Sequence, residues 1–283
     1  MSAHAPHLQA IHRILVALDG SGHSLAALDA ALDLAAQLRA ELEALFVEDV
    51  DLLRLADLPC ARVTSLVSLE AERIDRPRME RQIRVQVTRV QATLERRAAA
   101  RGVRATFRSV RGEVADQVLE AAAAADLLSL GRAGVGGSDW PRTGSTVRAA
   151  LAAGRPILVA ERAPAAGQGL LVAYDGSAAD ASALALAAQL AADTRQPLRV
   201  LLLAESAEAL EALAGRVRDQ LAGWGVRAEL SYSQGEPAAA ILAAARRMRP
   251  ALVVLGLGGE GDRAKERAER VLGSVGRPLL LVP

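Results

Sequence analysis

Apolar residues in this chain gather into short continuous runs separated by longer stretches of helical spacing. The runs read as strands near 13–18, 42–47, 103–109, 126–130 and 156–160, and again near 170–174, 198–204, 226–231, 251–255 and 278–282. Between the first five lie stretches at about 21–39, 78–101, 113–124 and 144–153 that read as helices. Ile83, Val87, Val90 and Leu94 fall on one helical stripe, as do Leu210, Leu213, Val217 and Leu221. Stripes of this kind are core faces. Strands that are apolar throughout, alternating with amphipathic helices, predict a parallel sheet covered on both faces. An α/β chain of two doubly wound, Rossmann-like, five-stranded parallel sheet domains is expected.

Two domains are expected because the chain repeats itself. Ile14-Leu-Val-Ala-Leu-Asp-Gly-Ser21 recurs as Leu170-Leu-Val-Ala-Tyr-Asp-Gly-Ser177. Arg111-Gly-Glu-Val114 has its counterpart in Gln234-Gly-Glu-Pro237, and Asp126-Leu-Leu-Ser-Leu-Gly131 in Ala251-Leu-Val-Val-Leu-Gly256. Arg155-Pro-Ile-Leu-Val159 returns as Arg277-Pro-Leu-Leu-Leu-Val282. Four anchors in one order imply a duplication, residues 1–160 and 169–283, joined by an Ala-, Pro- and Gly-rich linker at 161–168. The first half alone has an insert from Asp49 to Arg78. Its Leu52, Leu53, Leu55 and Leu58 suggest a surface excursion packed on its own domain, with a lid or docking element as the sharper alternative.

Composition narrows the classes of function. Of 283 residues, 51% are hydrophobic, ample for cores, but only 2% are aromatic, which leaves few platforms for stacking bases or sugars. A formal charge of +1 argues against a dedicated nucleic-acid binder. Cys60 is the single cysteine, so an intramolecular disulfide is excluded. No apolar run reaches about 18 residues, and Met1 to Ala10 lack the apolar core of a leader, so a cytoplasmic protein without membrane spans is expected. Lys265 is the only lysine, which removes any lysine-dependent chemistry from the first half.

Ligands of doubly wound folds sit beyond the carboxyl ends of the strands, where strand order reverses. Two segments of the first half converge there: Asp19-Gly20-Ser21 after strand one, and Gly131-Arg-Ala-Gly134 through Gly144-Ser145-Thr146 after strand four. Glycines admit phosphate oxygens to backbone amides, and a helix opening at Gly144 offers its free amides and positive dipole end. The loop is neither a lysine-bearing P-loop nor a dinucleotide fingerprint after the first strand.

Its spacing, Gly-x2-Gly-x9-Gly-Ser before the last helix, resembles the ATP-binding signature of the universal stress protein family. Strand one ending in Asp19, strand two ending in Phe46-Val47, the Gly112-Glu113 turn and the closing Arg-Pro-Ile-Leu-Val strand resemble it too. The resemblance spans nearly the whole chain in two copies and implies a fold akin to the adenine-nucleotide alpha-hydrolases. It further implies that Asp19 contacts the adenosine half of ATP and that Val47 lines the adenine pocket. Gly131 and Gly134 would then border ribose and phosphates, and Gly144, Ser145 and Thr146 would hold the phosphate tail, with Mg2+ accompanying it. Single-domain relatives pair their last strands, so Ile157–Val159 and Leu279–Val282 are expected to meet within one chain as a pseudo-dimer, with a further homodimer left open.

The second half keeps Asp175, Gly256 and Gly259, but charged residues from Glu260 to Arg270 stand where Gly-Ser belongs. Aligned from the closing Arg-Pro, Lys265-Glu266 takes that place; counted forward from Gly259, Glu269-Arg270 does. A carboxylate there repels a triphosphate unless a metal intervenes, so one ATP per chain is expected, with the second half structural.

Other residues invite bland readings. His4, His7, His12 and His23 lack the partners of a metal site, and Cys60 reads as a packed thiol. The arginines from Arg73 to Arg89 interleave with Glu70, Glu72, Asp75 and Glu80, which reads as a solvated face rather than a phosphate-facing patch. Trp140 either covers the nucleotide or anchors the loop. No histidine, cysteine or carboxylate pair stands near the loop. A regulatory ATP-binding protein is therefore favoured over an enzyme, with slow hydrolysis or autophosphorylation at Ser145 or Thr146 as the upper limit. A nucleotide-free interaction scaffold is the alternative, and a pyrophosphatase of the alpha-hydrolase type matches its own strand-one motif poorly.

Overall fold

A computed structural model describes residues 11–56, 62–64, 71–73, 76–131, 154–160, 169–257 and 263–283. The chain opens with strand β1 (Arg13–Leu18), helix α1 (Gly22–Leu38) and strand β2 (Glu41–Asp49). The insert follows as α2 (Val50–Ala56) and a small antiparallel pair, β3 (Arg62–Thr64) and β4 (Ala71–Arg73). Then come α3 (Arg76–Arg101), β5 (Ala105–Gly112), α4 (Val114–Ala122), β6 (Leu127–Gly131) and β7 (Ile157–Ala160). The second half runs β8 (Leu170–Tyr174), α5 (Ala178–Thr194), β9 (Leu198–Leu203), α6 (Ala207–Ala222), β10 (Ala228–Ser233), α7 (Pro237–Met248), β11 (Leu252–Gly256), α8 (Arg263–Leu272) and β12 (Leu279–Val282).

The two predicted five-strand sets join into one ten-stranded sheet, ordered β10-β9-β8-β11-β12-β7-β6-β1-β2-β5. Neighbours within each half are parallel, and each half repeats the same order, third, second, first, fourth, fifth. The seam is antiparallel: Val159, Leu158 and Ile157 face Leu279, Leu280 and Leu281. Central strands are buried on both faces, as their unbroken apolar runs require. One face of the sheet carries α1, α3, α5 and α6 over a core that is continuous across the seam; the other carries α4, α7 and α8.

Helix starts are set by side-chain caps. Ser21, Ser177 and Ser206 accept from the N–H three residues on, and Glu236 accepts from Ala238 and Ala239. Asp29 and Asp33 of α1 receive Arg97 and Arg101 of α3 at 2.7–3.2 Å, clamping the two helices side by side.

The insert forms short elements of its own, and α2 packs against its own domain. Leu53 of α2 is buried in the core and Leu52 is exposed, while Leu58 and Cys60 lie outside the described residues. The predicted helix at 144–153 is outside them as well. The strand expected at 103–109 runs instead over Ala105–Gly112; the Val103 N–H still bonds back to the Ala98 carbonyl of α3.

Candidate functional site

The strand order of the first half turns back at the gap between β1 and β6. Register brings the predicted residues to one level there. Leu18 pairs with Phe46, which sets Val47 beside Asp19. Val16 pairs with Ser129, and the same register carried on two residues sets Gly131 beside Leu18. Asp19, Val47 and Gly131 therefore share one edge of the sheet, at the mouth of the switch point. Gly134, Gly144, Ser145 and Thr146, together with Trp140, lie outside the described residues.

The turn after β1 is built by its own polar side chains. Asp19 Oδ1 accepts the Ser21 N–H at 2.8 Å, an Asx turn, and Ser21 Oγ then accepts the Ser24 N–H at 3.2 Å to cap α1. Ser24 Oγ accepts the Asp19 N–H at 3.3 Å and donates to the Ser21 carbonyl. The Gln86 amide of α3 donates to the Asp19 carbonyl, tying the turn to the flanking helix. Asp19 is half-buried, a carboxylate held at a fixed place without full desolvation.

Gly131 is demanded by packing. A Cβ there would lie 2.7 Å from the His23 carbonyl carbon and 2.8 Å from the Ser24 nitrogen, so the first turn of α1 rests directly on the end of β6. Ser129, fully buried, donates to the Ala27 carbonyl at 3.1 Å and fixes the same contact one turn further on. The glycine thus seats the helix N-terminus against the strand end, whatever else it admits.

The second half reproduces the Asx bond and the helix cap of this turn. Asp175 Oδ1 accepts the Ser177 N–H at 2.8 Å, and Ser177 Oγ accepts the Asp180 N–H at 3.2 Å. A Cβ on Gly256 would meet the Ala179 backbone at 2.5–2.6 Å. Two residues differ. Asp180 stands where the first half has Ser24, and its Oδ2 accepts the Asp175 N–H at 3.0 Å. Arg267 of α8 reaches in and donates to Asp175 at 3.0 Å, Asp180 at 3.0 Å and the Gly256 carbonyl at 3.1 Å. The Asp180 carboxylate is 0% exposed and the Arg267 side chain 8%.

Burial pushes the Asp180 carboxyl up to about 7, against the pull of Arg267 and with a further push from Asp175. For Asp175 burial also raises, but the Ser177 N–H and hydroxyl, Asp180 and Arg267 outweigh it and hold that carboxyl below its ordinary range.

Arg267 went unseen in the sequence pattern. Counting back without gaps from Arg155-Pro156 and Arg277-Pro278 sets Gly144-Ser145 opposite Glu266-Arg267, one residue along from Lys265-Glu266. The signal that could have found it is Asp180, an acidic residue in the repeat where the first copy has serine.

Clefts also open elsewhere among the described residues. One of about 420 Å³ lies across the seam between α1 and α5, lined by Leu34, Leu158, Leu170 and Leu190 among others. Another of about 570 Å³ opens beside Gly20, where Arg78, Arg81 and Arg89 of α3 stand along it. Among the described residues no three His, Cys, Asp or Glu side chains gather as metal ligands would, and no helix is long and apolar enough to cross a membrane.

The model of the universal stress protein family matches residues 10–159, more than half the chain. The chain belongs to the universal stress protein family. A universal stress protein from Archaeoglobus fulgidus has a similar structure, with a TM-score of 0.70 over 95% of this chain and 97% of its own at 17% identity. A protein of unknown function from Pseudomonas aeruginosa is similar over 97% of this chain and 93% of its own, with a TM-score of 0.57, also at 17% identity. At that identity these likenesses establish the fold. No curated protein matches the chain.

Proposed function

We propose that this universal stress protein binds ATP at the switch point of its first half and acts as a regulatory protein rather than a metabolic enzyme. One observation carries the reading: Asp19, Val47 and Gly131 stand level at the edge where β1 and β6 diverge, directly before an intact Gly-x2-Gly-x9-Gly-Ser run. Asp19 would accept hydrogen bonds from a ribose, Val47 would border the base, and the glycines from Gly131 to Gly144 would offer amides to phosphates. Ser145 and Thr146 add hydroxyls and no charge. With so few aromatics, base recognition rests on backbone groups and aliphatic contact.

We assign no general base among the described residues around Asp19; His23 sits in the first turn of α1 with its backbone against Gly131. ATP is therefore read as a bound signal, and Mg2+ would accompany its phosphates.

Calorimetric titration of ATP with Mg2+ into the wild type and into Gly144→Glu tests this. One site in the wild type, lost in the variant, is the expected result. No heat in the wild type would sink it in favour of a nucleotide-free scaffold. Turnover above about one per second, near the low end for ordinary enzymes, would overturn the non-enzymatic assignment.

A further inference from the structure

We propose that Arg267 is a built-in occupant of the second half's ligand site, an internal cation that keeps this half shut to nucleotide. The inference rests on the proposed nucleotide site of the first half, of which the second half is the structural copy. The turns Asp19–Ser24 and Asp175–Asp180 share their cap, their Asx bond and the close seat of the helix on a strand-ending glycine. What separates them is a pair of exchanges. Serine becomes Asp180, and the residue in register with Ser145 becomes Arg267.

Asp180 alone would bury a carboxyl with no cation beside it, which is strongly unfavourable. Arg267 supplies that cation and shares it with Asp175. The guanidinium bridges the turn after β8 and the end of β11, which is the switch point itself. It takes the oxygen of Asp175 that Ser177 leaves, so both carboxylate oxygens are engaged. Among the described residues its Nε has no hydrogen-bond partner. An adenosine polyphosphate arriving here meets a filled cleft, an occupied aspartate and the carboxylate of Asp180 beneath.

Reopening the site tests the proposal. Asp180→Ser/Glu266→Gly/Arg267→Ser gives these three positions the residues of the first half, and it is built on the wild type and on Gly144→Glu. Circular dichroism confirms folding, and ATP with Mg2+ is titrated by calorimetry. The expected result is two sites in place of one, and in the Gly144→Glu background one site at least tenfold tighter than in Gly144→Glu alone. A folded triple variant that gains no site, beside a wild type that binds one, overturns the proposal.

A wild type that binds none refutes the first-half reading instead, and a second measurement then decides. Asp180→Asn/Arg267→Met removes both charges and keeps the volume. Hydrogen exchange should quicken at least tenfold at Ser177–Asp180 and along α8, with Ser21–Ser24 unchanged. Unaltered exchange at α8 would show that the guanidinium closes nothing.

Discussion

Leu158 of β7 faces Leu280 of β12 across the antiparallel seam, both at most 1% exposed. Each is the second residue of a four-residue last strand, and together they weld two parallel sheets into one. Removing such a side chain forfeits its transfer free energy and leaves a cavity. Leu280→Ala is expected to lower stability by about 2–5 kcal/mol. Because the core face is continuous across the seam, urea unfolding followed by circular dichroism should remain a single transition at a lower midpoint. Two resolved transitions would show that the halves fold independently.

Gly131→Ala pushes a methyl group into the backbone of His23 and Ser24, which cannot move without lifting α1 from β6. A loss of about 1–3 kcal/mol is expected from such overpacking, and thermal unfolding without any nucleotide should report it. Were the variant as stable as the wild type, the glycine would be there for a ligand and not for the helix.

Ser21 and Ser177 cap equivalent helices through bonds of the same length. Ser21→Ala and Ser177→Ala should therefore each cost about 1 kcal/mol. A much larger effect for Ser177 would show that its cap also steadies the Asp175–Arg267 bridge.

The raised carboxyl of Asp180 fixes a sign for pH dependence. The native protein holds a proton on Asp180 between about pH 4 and 7 that the unfolded chain has released. Its contribution to stability is thus complete below the unfolded value and is lost as pH rises through about 7. The slope approaches about 1.4 kcal/mol per pH unit in that window. Asp175, with a lowered value, acts only below the window, where its contribution fades as pH falls. Denaturant titrations at a series of pH values should show the wild type losing stability relative to Asp180→Asn from pH 4 to 7. A flat difference would show that Arg267 holds Asp180 ionised throughout.

The central strands were legible because each is buried on both faces, which leaves an unbroken apolar run that little else produces, whereas the half-exposed edge strands β5 and β10 begin later than the pattern placed them. The strand-one turn was legible because Asp-Gly-Ser carries its own hydrogen-bonding logic. α2 and the β3–β4 pair were not, since two turns of helix and strands of three residues are too short for a repeating pattern to stand out. Arg267 was hidden for a different reason. In Arg263-Ala-Lys-Glu-Arg-Ala-Glu-Arg270 four cations look alike, and only Asp180, 87 residues earlier, decides which of them turns inward.

The seam has a last consequence, for how far the sheet can grow. Pairing β7 with β12 hides the two backbone edges that each half would otherwise present to a copy of itself. The edges left are β5 and β10, at opposite ends of the sheet. Arg108 and Arg111 of β5 answer Glu43 and Glu48 on β2, and Glu229 of β10 answers Arg199 on β9. A newcomer strand would have to lie beside those charged side chains, the usual guard against edge-to-edge addition. The antiparallel seam thus makes the β7 and β12 edges internal to a sheet of ten strands.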